Sequence, residues 1–129
     1  MKAQTHDFRD GNGPIPAHRH IKGGGWVADT AHVDESAYIG SDAQVFGDAQ
    51  VLGDTMVFGD SKVFGSSMVF GDSRVSGSSM VFGDSLVFGD SWVFGDSKIF
   101  GSAQIFGDAR VLGDARVSGD MMVNRGMYA

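Results

Sequence analysis

Branched apolar residues recur at every sixth position along most of the chain. Starting at Val27, a Val or Ile occupies seventeen successive positions of this period up to Val123, with no insertion. From Val33 to Val117, a small residue (Ala, Ser or Thr) lies two positions before each of them, and the residue between varies freely. Because side chains alternate along a strand, the small and branched residues face inward and the variable residue faces outward. The pattern therefore predicts a short strand in every hexapeptide.

The other three positions predict a corner between successive strands. With Val or Ile as position one, position two is most often Phe, position three is Gly, and position four is Asp or Ser, as in VFGDSLVFGDSWVFGDSK at residues 81–98. Glycine supplies the backbone freedom that a tight corner needs, and the Asp carboxylate is expected to accept hydrogen bonds from turn amides. A period this strict indicates a solenoid in which each coil packs on the next.

The hexapeptides of residues 27–124 resemble those of the hexapeptide-repeat superfamily. The chain is also similar to uncharacterised phage and bacterial proteins with V-F/Y-G-D-A/S-x units. The resemblance implies an all-β fold, a single-stranded left-handed parallel β-helix with three hexapeptides in each triangular coil. The chain would then form between five and six coils, about 27 Å tall at ~4.8 Å per stacked strand. We predict an irregular N-terminal cap at 1–26, the β-helix at 27–124 and a tail at 125–129.

With eighteen residues per coil, the variable position six divides into three outward columns. The basic face consists of Trp26, Gln44, Lys62, Met80, Lys98 and Arg116. The arginine–aromatic face consists of Tyr38, Met56, Arg74, Trp92, Arg110 and Tyr128. The uncharged face consists of His32, Gln50, Met68, Leu86, Gln104 and Met122. A long uncharged strip on a charged protein is a candidate contact surface. Since the resembling family is commonly trimeric, we expect this face to form a homotrimer interface; the alternative is a weakly apolar free surface.

Position two holds nine of the ten Phe residues, which are predicted to stack along the corners. The ladders would be Phe46, Phe64, Phe82 and Phe100; Phe70, Phe88 and Phe106; and Phe58 with Phe94. Stacked rings shield one another and the backbone beneath them, so a stabilising role is the favoured interpretation. The alternative is an aromatic strip that binds a partner protein or a glycan. The resembling family prefers a small residue here, and this departure weakens the transfer of an enzymatic function.

Carboxylates form an uninterrupted column at position four of one corner. Its members are Asp54, Asp72, Asp90 and Asp108, stacked about 5 Å apart. We expect them to cap turn amides. Binding of a cation such as calcium is the alternative, although a straight column does not converge oxygen ligands on one point.

Candidate catalytic residues are few. The resembling family includes acyltransferases that use coenzyme A, usually with a His base near a subunit interface, and zinc carbonic anhydrases with three His across an interface. The repeat contains one His, His32, and no loop interrupts it. We therefore predict that the protein is not an enzyme and needs no cofactor. The alternative is an acyltransferase-like enzyme with His32 as its base.

The N-terminal segment contains five metal-capable side chains, among them three of the four His residues. These are His6, Asp7, Asp10, His18 and His20, and His18 and His20 would lie on one side of an extended segment. The favoured interpretation is a loop-rich cap in which Trp26 closes the hydrophobic end of the first coil. A metal-binding module is the alternative. At the other end, Met121 and Met127 stand at position five and are predicted to fill the last coil.

Composition restricts the environment and the partners. There is no Cys, so disulfides and thiolate metal sites are excluded, and the net charge of -6 argues against nonspecific binding to nucleic acid. Apolar runs are too short to span a bilayer, and the first thirty residues lack the apolar stretch that a signal peptide would have. We expect a soluble, cytoplasmic or virion-associated protein with a structural or binding role. Its partners would be copies of itself, side by side or end to end, or another protein or a glycan, with no membrane partner.

Overall fold

The computed structural model describes residues 5–8, 11 and 13–128. These residues form short strands joined by turns, without any helix, so no helix among them is available to cross a membrane. The strands are β1 Thr5–Asp7, β2 Pro14–Arg19, β3 Trp26–Ala28, β4 His32–Val33, β5 Tyr38–Ile39, β6 Gln44–Val45, β7 Gln50–Val51, β8 Met56–Val57, β9 Lys62–Val63, β10 Met68–Val69, β11 Arg74–Val75, β12 Met80–Val81, β13 Leu86–Val87, β14 Trp92–Val93, β15 Lys98–Ile99, β16 Gln104–Ile105, β17 Arg110–Val111, β18 Arg116–Val117, β19 Met122–Val123 and β20 Met127–Tyr128.

From β3 onward, every strand pairs in parallel with the strand three places later. Met68 of β10 lies beside Gln50 of β7 on one side and beside Leu86 of β13 on the other, which is an offset of eighteen residues. The strands form three sheets, β1-β2-β3-β6-β9-β12-β15-β18, β19-β16-β13-β10-β7-β4 and β20-β17-β14-β11-β8-β5. The predicted all-β parallel solenoid is confirmed, with about five turns. Its left-handed winding stays a prediction from the resemblance.

The interior is built from positions one and five, as the alternation predicts. The branched residues from Ile39 to Val117 are completely buried. Eight consecutive units, from Thr55 to Ser97, place a hydroxyl at position five, and all eight residues are fully buried. Each hydroxyl donates a hydrogen bond to the carbonyl oxygen three residues earlier; Ser61 Oγ, for example, lies 2.7 Å from the Phe58 carbonyl oxygen. Because every one has an acceptor, these polar groups are buried without a large desolvation cost.

The corners bring glycine backbones of successive coils into contact. Gly89 has φ of 73°, and a Cβ placed on it would lie 2.8 Å from the Gly107 nitrogen. The amide of Asp90 donates to the Gly107 carbonyl oxygen at 2.9 Å. The carboxylates of Asp54, Asp72, Asp90 and Asp108 are exposed, and in the described part of the chain they make no hydrogen bond or salt bridge. The predicted capping of turn amides by this column is therefore wrong.

The N-terminal segment forms a β-hairpin in place of the loop-rich cap that the sequence suggested. Strands β1 and β2 are antiparallel, and β2 pairs antiparallel with β3, so the hairpin extends the sheet of the basic face. Phe8, Ala17, Ala28 and Phe46 form a small second core beneath it. Trp26 packs beside this second core, between the His6 ring at 4.5 Å and the Arg19 guanidinium at 4.6 Å. The prediction that Trp26 closes the end of the main core is therefore wrong.

The last coil departs from the repeat by one residue. Glycine stands at position four there, as Gly126 with φ of 77°, and not at position three. The corner before β20 is one residue shorter than the others: the Arg110 amide donates to the Gly126 carbonyl oxygen, and Met127, not the predicted Tyr128, pairs with Arg110. Met121 is 39% exposed, so the prediction that it fills the last coil is wrong. Strand β20 also carries the third sheet past the predicted boundary at residue 124, and β18, β19 and β20 are the terminal strands of their sheets.

Candidate functional site

The position-six residues align in the three predicted columns. Met80 pairs with Lys62 and Lys98, Arg74 with Met56 and Trp92, and Met68 with Gln50 and Leu86. Apart from Tyr128, every column member is confirmed in its place. Each of the three sheets therefore carries one column of outward-facing side chains.

The uncharged face covers the sheet of β4, β7, β10, β13, β16 and β19. Met68, Leu86 and Gln104 are half-buried by their neighbours, while Met122 is 63% exposed at the C-terminal end. Its position-six residues include no Lys, Arg, Asp or Glu. From Gln50 to Met122, this face can pack against another sheet without removing a position-six formal charge from water.

His32, the catalytic candidate, pairs with a carboxylate at the N-terminal end of the same face. Its Nε2 lies 3.1 Å from Asp34 Oδ1, and the Gly53 amide donates to Asp34 Oδ2 at 2.9 Å. The Gly53 amide, followed by the hydrogen bond from His32, holds the pKa of Asp34 below its ordinary value. Asp34 thus orients an exposed imidazole, which is the arrangement of a general base and its positioning carboxylate.

The metal candidates of the N-terminal segment have separate partners. His18 Nδ1 contacts Asp29 Oδ1 at 2.8 Å, whereas buried His20 donates from Nε2 to the Ala37 carbonyl oxygen at 2.7 Å. His6 stacks on Trp26, Asp7 is exposed, and Asp10 lies outside the described residues. Among the residues that the structure describes, no group of three or more His, Asp or Glu side chains is placed to hold a metal ion.

Two of the corners carry the predicted phenylalanine ladders. Phe46, Phe64, Phe82 and Phe100 stack with ring centroids 4.7, 4.9 and 5.2 Å apart, and Phe8 extends this ladder at 4.8 Å. Phe70, Phe88 and Phe106 stack at 4.9 and 5.2 Å. The ladders are continuous because Phe occupies position two in consecutive coils.

The third corner contains a cavity that sequence reasoning missed. Ser76 stands at position two between Phe58 and Phe94, so these two rings are members of one column without stacking on each other. A cavity of about 200 Å³ opens at this place, lined by Phe58, Arg74, Ser76, Trp92 and Phe94. We call it the Ser76 slot. The signal was present in the sequence, as a single Ser within a column of Phe.

The slot borders the arginine–aromatic face. The Trp92 ring lies between the guanidinium groups of Arg74, 5.1 Å from the ring centroid, and Arg110, at 5.0 Å. Arg74 lines the slot, whereas Arg110 contacts the side of Trp92 that belongs to the next coil. The site combines aromatic walls with one cation.

Comparison with known proteins identifies a repeat and no complete relative. A family model described as YdcK beta solenoid repeat matches residues 103–119. Searches of curated proteins and of solved structures gave no significant match. The matched segment lies within the solenoid and supports its assignment as a β-solenoid repeat protein.

Proposed function

We propose that the chain is a non-catalytic structural or binding solenoid that self-associates as a trimer through the uncharged face. The observation that supports the proposal is the alignment of six side chains without formal charge along one sheet. The resembling family, which is commonly trimeric, suggests the number of copies.

Electrostatics favours this face over the other two. The basic face carries Lys62, Lys98 and Arg116, and the arginine–aromatic face carries Arg74 and Arg110. Packing either against an identical copy removes like charges from water, which costs free energy. Parallel sheets are usually covered on both sides. The uncharged face is the one that a second copy covers at the smallest electrostatic cost.

The test measures the mass of the protein in solution by light scattering. We expect a trimer for the unaltered chain and a monomer for the double variant Met68→Lys with Leu86→Lys, because two cations would then lie within the interface. The matched control is Met56→Lys with Met80→Lys, which makes the same kind of change on the other two faces and should leave the trimer intact. A monomer at high concentration, or a trimer that survives the change at Met68 and Leu86, contradicts the proposal.

End-to-end stacking is the second mode of association. In the described part of the chain, β18, β19 and β20 are the terminal strands of the three sheets, and the edge of a sheet pairs readily with a strand of another chain. Such stacking gives a mass that grows continuously with concentration, whereas side-by-side packing stops at three copies. Association with a phage particle is part of the proposal, supported by the resemblance of the hexapeptides.

A second candidate function is acyl transfer from coenzyme A thioesters. The contact between His32 and Asp34 favours it, since a carboxylate-oriented imidazole is a common general base. The leading proposal expects no release of free thiol from a coenzyme A thioester above the buffer rate. Release by the unaltered chain that disappears with His32→Ala would replace it with the enzymatic function.

A further inference from the structure

We infer that the Ser76 slot binds one planar aromatic ring that carries an anionic group, such as an aromatic carboxylate. The site lies on a different side of the solenoid from the uncharged face and does not depend on self-association. It is a ligand site for a small molecule, formed where the third phenylalanine column lacks one ring.

The spacing of the solenoid supports a single ring as the occupant. In the two continuous ladders, rings of successive coils are 4.7–5.2 Å apart. Phe58 and Phe94 belong to coils two steps apart, which corresponds to about 9.6 Å at the ordinary strand spacing. The gap at Ser76 therefore has room for one ring, at the separation that the protein's own rings adopt.

The size and lining of the slot agree with this occupant. Its volume is about 200 Å³, and an apolar cavity of roughly 150 Å³ is large enough to hold benzene. Phe58 and Phe94 are half-buried and line the slot together with Trp92. An aromatic ligand gains stacking contacts with these rings, while the open side leaves room for a polar substituent.

The positive charge of Arg74 favours a ligand whose ring carries an anionic substituent. Arg74 lines the slot, and its guanidinium lies over the Trp92 ring, 5.1 Å from the ring centroid, which places the cation beside the slot. Position four of the same hexapeptide is Ser78, whereas the neighbouring coils of this corner have Asp60 and Asp96. The hexapeptide that lacks the ring also lacks the corner carboxylate, so a carboxylate bound beside Arg74 meets no like charge at position four of its own coil. A guanidinium binds a carboxylate through paired hydrogen bonds.

The first experiment titrates benzoate and follows binding by calorimetry and by chemical-shift changes. We expect weak binding, on the order of 1 mM, because the ligand is small. Ser76→Phe places the missing ring and should weaken binding at least tenfold, while Ser118→Phe, the same change at the end of a neighbouring ladder, should leave it unchanged. Should Ser76→Phe fail to fold, Ser76→Leu replaces it, since Leu52 and Leu112 occupy the same position natively. Equal binding by the Ser76 variant and the unaltered chain overturns the inference.

The second experiment separates the contribution of the ligand's aromatic ring to binding from that of its negative charge. Benzyl alcohol tests the ring alone, and cyclohexanecarboxylate tests the charge on a ring that is not flat; we expect both to bind several-fold more weakly than benzoate. Arg74→Gln should weaken benzoate binding about three- to tenfold and leave benzyl alcohol unaffected, as expected for loss of one partly exposed charge contact. Arg110→Gln is the matched control and should have little effect. Tighter binding of glucose than of benzoate would instead assign the slot to a glycan.

Discussion

Asp34 replaces the Phe or Leu of position two and accepts hydrogen bonds from the Gly53 amide and from His32. Its pKa is lowered in the folded protein, chiefly by the Gly53 amide. A carboxyl whose folded pKa lies below its unfolded value stabilises the fold above the unfolded pKa. That contribution is lost as the pH falls through the folded pKa.

The first prediction concerns this acid dependence. Asp34→Asn should lower the free energy of unfolding at neutral pH, and the difference from the unaltered chain should shrink as the pH falls below about 4. Denaturant unfolding at a series of pH values measures it. His32→Ala should retain most of the dependence, because the Gly53 amide is the larger cause. Parallel pH profiles for Asp34→Asn and the unaltered chain would show that the carboxylate has no such role.

At the level of single residues, the sequence predicted which side chains face inward or outward better than it predicted their hydrogen-bond partners. Alternation placed the side chains of Ser61 and Val63 inside and that of Lys62 outside. It did not reveal that Ser61 Oγ bonds the Phe58 carbonyl oxygen, because an inward Ala satisfies the same pattern. The separation of His18 from His20 could not be predicted either, because His20 lies beyond the end of β2 and donates to the Ala37 carbonyl oxygen, which is distant in sequence.

At the level of elements, the corner is held by direct contact between glycine backbones. Gly89 and Gly119 have the same left-handed conformation, with φ of 73° and 61°, but they differ in surroundings. The Gly107 backbone blocks the Cβ position of Gly89, whereas nothing lies within 4 Å of that position at Gly119. Substitutions at these two glycines therefore separate the free-energy cost of the left-handed conformation from the cost of crowding against the next coil.

The second prediction uses this pair. Gly119→Ala should destabilise the protein by about 1–2 kcal/mol, the cost of a left-handed conformation in a residue with a Cβ. Gly89→Ala should cost about 2–4 kcal/mol, because crowding against the next coil adds to the same strain. Urea unfolding measures both, and the gain from a stiffer unfolded chain is common to the two. Equal losses would mean that the coils relax apart freely at the corner.

The elements that the sequence did not predict are those that depart from the six-residue repeat. The hairpin of β1 and β2 has no six-residue pattern, and its pairing with β3 depends on contacts such as Phe8 with Phe46, far apart in sequence. The one-residue shift before β20 belongs to a shortened corner, in which Gly126 takes the place of position five. The Ser76 slot likewise results from an exception to the pattern, which predicted a ladder of Phe58 with Phe94 where the structure has a cavity.

At the level of the whole molecule, the eighteen-residue offset makes a coil the unit that can be added or removed. Deletion of residues 99–116 joins position six to position one and leaves every remaining column in line. Deletion of residues 99–104 also joins them correctly but advances the downstream residues by one face. Arg110 would then take the place of Gln104 on the uncharged face.

The third prediction compares these two deletions. Both chains should fold as solenoids, since each keeps the Val and Ile positions in phase, and circular dichroism checks the strand content. The eighteen-residue deletion should shorten the rod by about 4.8 Å in small-angle scattering and keep its self-association. The six-residue deletion should lose self-association because Arg110 enters the interface. A six-residue deletion that still forms trimers would contradict the assignment of the interface.

The eighteen-residue register of the coils also restricts which insertions and deletions of hexapeptides the gene can tolerate. Where near-identical hexapeptides are encoded by near-identical stretches of DNA, misalignment during replication and recombination is favoured. Slippage by one hexapeptide preserves the reading frame but moves every downstream side chain to another face, whereas slippage by three keeps every remaining side chain in its column. Selection for an intact surface should therefore leave natural variants that differ in length by multiples of eighteen residues.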